Sequence, residues 1–193
     1  MKKKIILASA SPRRKELLER IGLQFEIIPS NADENIEGQE FSEKLIEQLA
    51  IDKATDVAKK TKKSALVIGA DTIVVCQNKV LGKPIDKDDA REMIKHLSGN
   101  IHEVVTGIAI IDTETNTTLS DFLVTKVKFK ELTDLEIENY LSTDEPYDKA
   151  GAYAAQGIGA MFIEEINGCY NNVVGLSVYK LSEMMKKLGY NLI

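Results

Sequence analysis

Tryptophan is absent from this chain of 193 residues, and aromatic residues together make up 6% of it. Cysteine and histidine occur only twice each, as Cys76, Cys169, His96 and His102. Their spacing does not form the cluster that a zinc site needs, and we expect structural roles for both histidines. A chain of this size with two cysteines predicts a reducing compartment rather than a disulfide scaffold.

Long apolar runs are also missing. No run approaches the ~20 residues that cross a bilayer, and the first apolar stretch ends at Ala8, too early for the hydrophobic region of a signal peptide. The net charge of −5 does not provide the broad basic face that nucleic-acid polymers require. We therefore expect a cytoplasmic protein that binds neither a membrane nor a nucleic-acid polymer.

The order of apolar patterns predicts an α/β fold. Helical periods alternate with short apolar runs, and one antiparallel pair is expected around a polar turn at 114–116. This combination predicts a mixed twisted sheet with flanking helices, and no linker or repeat divides the single domain over 1–193. The expected strands are 4–8, 24–29, 65–75, 101–112, 117–129 and 160–165, and the expected helices are 12–21, 42–60, 87–97, 133–141 and 174–188.

The start of the first helix carries charges of the unexpected sign. Ser11 suits the N-cap and Pro12 the first helical position, but Arg13 and Arg14 follow in the first turn. Each cation there costs ~0.3–1 kcal/mol against the helix dipole. An incoming anion would remove that cost. Backbone N–H groups, serine hydroxyls and two guanidinium groups together predict a phosphate site.

Two further charges lie where the pattern favours apolar residues. Asp71 interrupts the apolar strand 65–75, and Lys53 falls on the apolar stripe of the helix 42–60. Asp71 is either a strand-end carboxylate bonded to backbone or a general base or metal ligand. Lys53 either extends to solvent or directs its charge into a cleft. Carboxylates beside lysines and arginines match Mg²⁺ or Mn²⁺ acting on phosphates.

The segments 7–14, 69–72, 81–84, 97–99, 145–157 and 172–176 resemble, in this order, the Maf family of nucleoside triphosphate pyrophosphatases. The resemblance covers nearly the whole chain. It implies hydrolysis of a nucleoside triphosphate to the monophosphate and pyrophosphate, assisted by a divalent metal. It also implies two lobes around a cleft, similar to the inosine-triphosphate pyrophosphatase fold, and frequently a homodimer.

The resemblance also implies roles for particular residues. It implies that Asp71 is the proton acceptor, and that Glu34 and Asp71 lie at the metal. It implies phosphate contacts from Ser9, Arg13, Arg14, Lys53 and Lys83, and substrate selection by Arg13, Thr72 and Gln156. Whether Asp71 acts as the base or as a metal ligand stays open.

The pairs Asp71-Thr72 and Gln156-Gly157 resemble the branch that acts on dTTP and UTP, with modified pyrimidine nucleotides as further candidate substrates. The alternatives are the branch that prefers 7-methyl-GTP and a non-enzymatic regulator of septum formation. One departure is visible, because Ser177 stands where the family usually has proline. We expect this change to affect the start of the last helix rather than the chemistry.

Overall fold

The computed structural model describes residues 3–33 and 41–192. In this part of the chain a mixed sheet is flanked by helices, so the predicted α/β class is confirmed. Its strands are β1 (Lys4–Leu7), β2 (Glu26–Ile27), β3 (Ala65–Cys76), β4 (Lys79–Leu81), β5 (Ile101–Asp112), β6 (Thr117–Phe129) and β7 (Ile163–Asn167). The helices are α1 (Pro12–Arg20), α2 (Glu43–Lys60), α3 (Lys87–Leu97), α4 (Asp134–Leu141), α5 (Tyr170–Val174) and α6 (Val178–Lys187).

The long strand β3 organises the sheet. From Leu66 to Val75 it pairs antiparallel with β5, and its opposite edge is shared by two short strands. Parallel β1 covers that edge as far as Ile68, and antiparallel β4 covers it from Val74 onward. Among the described residues, the stretch between them, with Asp71 and Thr72, has a strand partner on the β5 side alone. The sheet therefore opens at this point.

Two lobes share the long strands. In one lobe, α1 and α6 pack on one face of β3 and β5, and α2 packs on the opposite face. In the other lobe, α3 and α4 pack around β4 and the far ends of β3, β5 and β6. None of the helices in the described ranges is long and apolar enough to span a membrane. The opening in the β3 edge thus lies between the lobes, as expected for a cleft.

The helix α2 lies unusually close to the sheet because two strand positions beneath it are glycines. A Cβ atom at Gly69 of β3 would lie 2.3 Å from the carbonyl oxygen of Ala50. A Cβ atom at Gly107 of β5 would lie 2.3 Å from the carbonyl oxygen of Ile46. Both distances are far below van der Waals contact. The backbone of α2 therefore rests directly on the backbone of the two strands.

The predicted final helix 174–188 is wrong at its start. The helix α5 ends at Gly175, whose φ of 122° interrupts the helical conformation, and α6 begins three residues later. The Ser177 hydroxyl accepts a hydrogen bond of 3.2 Å from the Lys180 N–H and thus forms the N-cap of α6. Serine is among the preferred N-cap residues, so α6 begins here although the chain lacks the proline that the family usually has at this position.

Two predicted strands are also displaced. The segment 24–29 forms a strand only at Glu26–Ile27, and the last strand is Ile163–Asn167 rather than 160–165. A 3₁₀ turn at Ile158–Phe162 occupies the start of the latter segment. Short edge strands carry weak patterns, so their bounds depend on the partner strand more than on their own residues.

We expect Gly107→Ala to destabilise the protein, because its methyl group would meet the α2 backbone, which cannot rotate away as a side chain can. The expected loss in the free energy of unfolding is about 1–3 kcal/mol, as for other overpacked cores. Urea unfolding followed by circular dichroism measures it. Thr118→Ala, at an exposed position of β6, is the control. Equal stability of the two variants would contradict the close packing.

Candidate functional site

A cavity of about 720 Å³ opens where β1 and β4 leave the edge of β3. Its lining includes residues from both lobes. Every predicted site residue in the described ranges lines it, namely Ser9, Arg13, Arg14, Lys53, Asp71, Thr72, Lys83 and Gln156. Glu34 lies outside the described residues. The structure thus brings together residues that are up to 147 positions apart in the sequence, from Ser9 to Gln156, while their individual roles stay predictions.

A buried ion pair lies at the back of this cavity. Lys53 is 6% exposed and Asp71 is 8% exposed, and the Lys53 ammonium group donates a hydrogen bond to the Asp71 carboxylate. The alternative in which Lys53 extends to solvent is therefore wrong. The glycine contact explains the approach, because a Cβ atom at Gly69 would lie 2.7 Å from the backbone nitrogen of Ala54. The residue that follows Lys53 thus rests on the strand that carries Asp71.

Arg14 joins three segments beneath the cavity. Its Nε donates to the carbonyl oxygen of Gly175 at 2.8 Å, Nη1 to Ser9 Oγ at 3.2 Å, and Nη2 to Thr72 Oγ1 at 3.1 Å. Only 8% of its surface is exposed. In this structure its guanidinium group therefore holds the β1–α1 turn, β3 and the α5–α6 connection together. Direct contact of Arg14 with a phosphate stays a prediction.

Glu145, which the sequence pattern did not select, holds the loop that carries Gln156. Its carboxylate accepts hydrogen bonds of 2.8 Å from the N–H groups of both Ile158 and Gly159, and one of 3.1 Å from the Tyr140 hydroxyl. A Cβ atom at Gly157 would lie 2.1 Å from Glu145 Oε2, so a side chain there would displace the carboxylate from these N–H groups. The glycines of this loop were a visible signal, but the carboxylate that they enclose became apparent only in the fold.

The cavity has a surplus of positive charge. Six cationic side chains of the described residues line it against three carboxylates, although the whole chain has a net charge of −5. Lys79 and Lys149 are the two cations that sequence analysis missed. The lining cations are Arg13, Arg14, Lys53, Lys79, Lys83 and Lys149, and the carboxylates are Asp71, Asp89 and Asp148. A concave cationic surface on an acidic protein favours a compact polyanion.

The cations also act on a carboxylate at the cavity rim. Burial raises the pKa of Asp148, but a hydrogen bond from Lys149 and the charges of Lys149 and Arg13 outweigh burial and lower it overall.

Among the described residues, no cluster of three or more potential metal ligands occurs. Asp71 is the carboxylate at the centre, and Mg²⁺ commonly uses one or two protein carboxylates together with phosphate oxygens of its substrate. The donor set therefore fits such an ion.

A buried histidine supports one wall of the cavity. His102 Nε2 lies 2.8 Å from the hydroxyl oxygen of Tyr153, which lines the cavity. His102 is 1% exposed, and burial lowers its pKa from 6.5 to about 4. Its ring also packs edge-on against Phe129, with ring centroids 4.9 Å apart. Both contacts suit a structural role in the core, as expected for this histidine.

Comparison with known proteins identifies the family. The family model described as Maf-like protein matches residues 4–188, and the chain belongs to this family. A protein from Acetivibrio thermocellus named dTTP/UTP pyrophosphatase is 52% identical over 98% of both chains. A protein of the same name from Clostridium botulinum is 53% identical over 98% of this chain and 100% of its own length.

One solved protein structure is similar to this chain over most of the length of both. It is a nucleoside-triphosphatase / dITP/XTP pyrophosphatase from Mycobacterium abscessus, with a TM-score of 0.45 and 14% identity. The match covers 95% of this chain and 93% of that one. A likeness at this level supports no inference about the site.

We expect Lys53→Met to destabilise the fold, because it leaves the Asp71 carboxylate buried without its cation. The loss should be about 1–3 kcal/mol, less than the 3–5 kcal/mol of a fully enclosed pair, because the cavity admits water. The double variant Lys53→Met/Asp71→Asn should recover most of it. Urea unfolding of the two single variants and the double variant measures the coupling. Additive losses would show that the two groups do not interact.

We expect the free energy of unfolding to fall as the pH falls from 6.5 to 4, because His102 is held neutral in the folded state. Across this window the unfolded chain binds the extra proton, so stability rises with pH by up to about 3 kcal/mol from this residue. His102→Gln should remove this part of the pH dependence, and His96→Gln should retain it. Urea unfolding at a series of pH values is the measurement. An unchanged slope in His102→Gln would contradict the assignment.

Proposed function

We propose that this protein hydrolyses dTTP and UTP, or modified forms of these nucleotides, to the monophosphate and pyrophosphate. The observation that carries the proposal is that six cations and Asp71 line one cavity between the lobes. Such a surface matches the size and charge of a nucleoside triphosphate. The names of relatives that are 52% and 53% identical over nearly the whole chain support the same substrates.

The triphosphate would lie across the N-terminal end of α1. Ser11 caps this helix and Arg13 stands in its first turn, half-buried at the cavity. The N–H groups and dipole of the helix end favour an anion, and Arg13 adds a full positive charge. Lys83, in the turn after β4, faces the same cavity from the other lobe. Substrate binding would thereby hold the two lobes together.

The chemistry would be attack of water on the α-phosphorus. The water oxygen forms the new bond to phosphorus, the bond to the bridging oxygen breaks, and pyrophosphate leaves with that oxygen. Asp71 would accept the proton from the attacking water. In the structure, Lys53 donates to Asp71. If the Lys53 ammonium group bonded to a phosphate oxygen of the substrate instead, it would neutralise charge on the substrate and free the Asp71 carboxylate. Substrate binding would thereby activate Asp71 as a proton acceptor.

A divalent cation, Mg²⁺ or Mn²⁺, would be held by Asp71 and by phosphate oxygens, with Glu34 as a further candidate ligand outside the described residues. Such an ion supplies positive charge that neutralises the phosphates as the bond breaks. One carboxylate hardly serves as both a tight metal ligand and a strong base. The two roles for Asp71 are therefore alternatives that the assay below separates. The cytoplasmic location and the homodimer stay predictions.

The decisive assay is release of pyrophosphate from a panel of nucleoside triphosphates, with either Mg²⁺ or Mn²⁺. We expect pyrophosphate to be released faster from dTTP and UTP than from dCTP, ATP, GTP and 7-methyl-GTP. We expect Asp71→Asn to lower kcat for dTTP by about 10²–10⁴-fold if Asp71 moves the proton, the usual size of this contribution. A smaller loss, recovered by more Mn²⁺, would indicate a metal ligand.

Asp112→Asn is the matched control, because Asp112 is another buried aspartate paired with a lysine. It is 5% exposed and accepts a hydrogen bond of 2.7 Å from Lys3, at the end of β5 outside the cavity lining. Its replacement should lower stability without lowering kcat. Near wild-type turnover in Asp71→Asn would refute the role of Asp71. Absence of pyrophosphate from every nucleotide with the wild-type protein would refute the proposed function and favour the regulator.

A further inference from the structure

Thr106 lies directly beneath the candidate site without lining it. It is a fully buried residue of β5, opposite Thr72 in the register of β3 and β5. Its hydroxyl oxygen lies 2.9 Å from Thr72 Oγ1, and it donates a hydrogen bond of 3.0 Å to the carbonyl oxygen of Asn172. Thr72, unlike Thr106, is half-buried and lines the cavity. The two hydroxyl groups therefore form a chain from the core to the site.

The direction of every hydrogen bond in this chain follows from counting hydrogens. A threonine hydroxyl has one hydrogen and two lone pairs, whereas a carbonyl oxygen can only accept. Because Thr106 uses its hydrogen on the Asn172 carbonyl group, Thr72 must donate in the bond between the two threonines. A guanidinium group can only donate, so the 3.1 Å contact from Arg14 Nη2 uses one lone pair of Thr72 Oγ1. Thr72 keeps one lone pair and no hydrogen.

Asn172, at the core end of this chain of hydrogen bonds, is held in place by further hydrogen bonds. The Asn172 side chain is fully buried, and its Nδ2 donates to the carbonyl oxygen of Val104 at 3.0 Å and to Thr125 Oγ1 at 3.1 Å. Thr125 in turn accepts from the Cys169 N–H at 3.2 Å. These bonds hold the Asn172 backbone, and with it the carbonyl group that takes the Thr106 hydrogen. The Gly175 N–H also donates to this carbonyl oxygen, at 3.0 Å, but reversal of the hydrogen bonds would still place two oxygen atoms 3.0 Å apart without a hydrogen between them.

We infer that Thr106 is a positioning residue that fixes the Thr72 hydroxyl as a hydrogen-bond acceptor for a donor group on the nucleoside part of the substrate. The inference rests on the proposed function. The oxygens of an ionised triphosphate carry lone pairs only, so they do not complement Thr72. A nucleoside triphosphate offers donors at its base and its sugar. Thymine and uracil carry an N–H at the ring position where cytosine has a lone pair, and the sugar carries a hydroxyl group.

The test is Thr106→Val, which keeps the shape of the side chain but deletes the oxygen that receives the Thr72 hydrogen. Thr72 can then turn its hydrogen toward the cavity. Thr106→Ser retains the hydroxyl and is the matched control. The ratio of kcat/KM for dTTP to that for dCTP reports on the ring N–H. The ratio for dTTP to its 3′-deoxy analogue reports on the sugar hydroxyl.

We expect at least one of these ratios to exceed about 10 in the wild-type protein, as for sites that bind a substrate N–H or O–H group. In Thr106→Val that ratio should fall at least about fivefold, since one hydrogen bond of about 1 kcal/mol changes an equilibrium by this factor. Thr106→Ser should retain it. A rise in the relative rate with dCTP is a gain that a merely loosened structure does not produce. The ratio that falls identifies the base or the sugar as the donor.

Unchanged ratios in a folded Thr106→Val protein would overturn the inference. A change confined to inhibition by inorganic tripolyphosphate would also overturn it, because Thr72 would then face the phosphates. If Thr106→Val does not fold, as judged by circular dichroism, Thr72→Ser and Thr72→Val replace it. Thr72→Ser should keep the wild-type ratio and Thr72→Val should lose it, and wild-type ratios in both would overturn the inference. Wild-type turnover of dTTP, measured first, separates this failure from failure of the proposed function.

Discussion

The close packing of α2 on two glycines is the constraint on which the site depends. Gly69 and Gly107 lack side chains where the helix backbone crosses β3 and β5, so the helix backbone rests directly on these strands. At this distance Lys53 reaches Asp71 and both become buried. With larger residues beneath it, α2 would lie farther from the sheet. The Asp71 carboxylate would then lose Lys53, the cation that offsets its burial. The glycines thus determine the position of the ion pair through the position of a helix.

The opening in the sheet places this ion pair at the cavity. Because β1 ends at Leu7 and β4 begins to pair with β3 only at Val74, the edge of β3 at Asp71 faces a cavity instead of another strand. The same opening lets Asp71 and Thr72, which point to opposite faces of the strand, line one site. The Asp71 carboxylate and the Thr72 hydroxyl group, which are neighbours in the sequence, therefore both reach the cavity, as the roles proposed for them require. The surrounding cations complete a surface suited to a polyanion.

Much of this arrangement is predictable from local patterns. The helices and long strands follow from periodicity, and the site residues stand out because Arg13, Lys53 and Asp71 place charges where local rules disfavour them. The final helix was predicted wrongly because its apolar stripe continues across the break at Gly175, whose φ of 122° becomes visible only in the fold. Glu145 was missed for a related reason. Its partners are backbone N–H groups of Ile158 and Gly159, which leave no side-chain pattern.

The sequence alone determined the fold class, the family, four of the six cations that line the cavity, and Asp71, because each of these is recorded in side-chain type and spacing. Only the tertiary structure decided what those residues contact. The sequence predicts Arg14 as a phosphate ligand, which stays a prediction, and the structure adds that its guanidinium group donates to Gly175, Ser9 and Thr72. Likewise, whether the Thr72 hydroxyl group donates or accepts a hydrogen bond in the cavity depends on Thr106, 34 positions away. Hydrogen-bond direction is set by the partners that folding brings together, and a single sequence does not encode those partners in any local pattern.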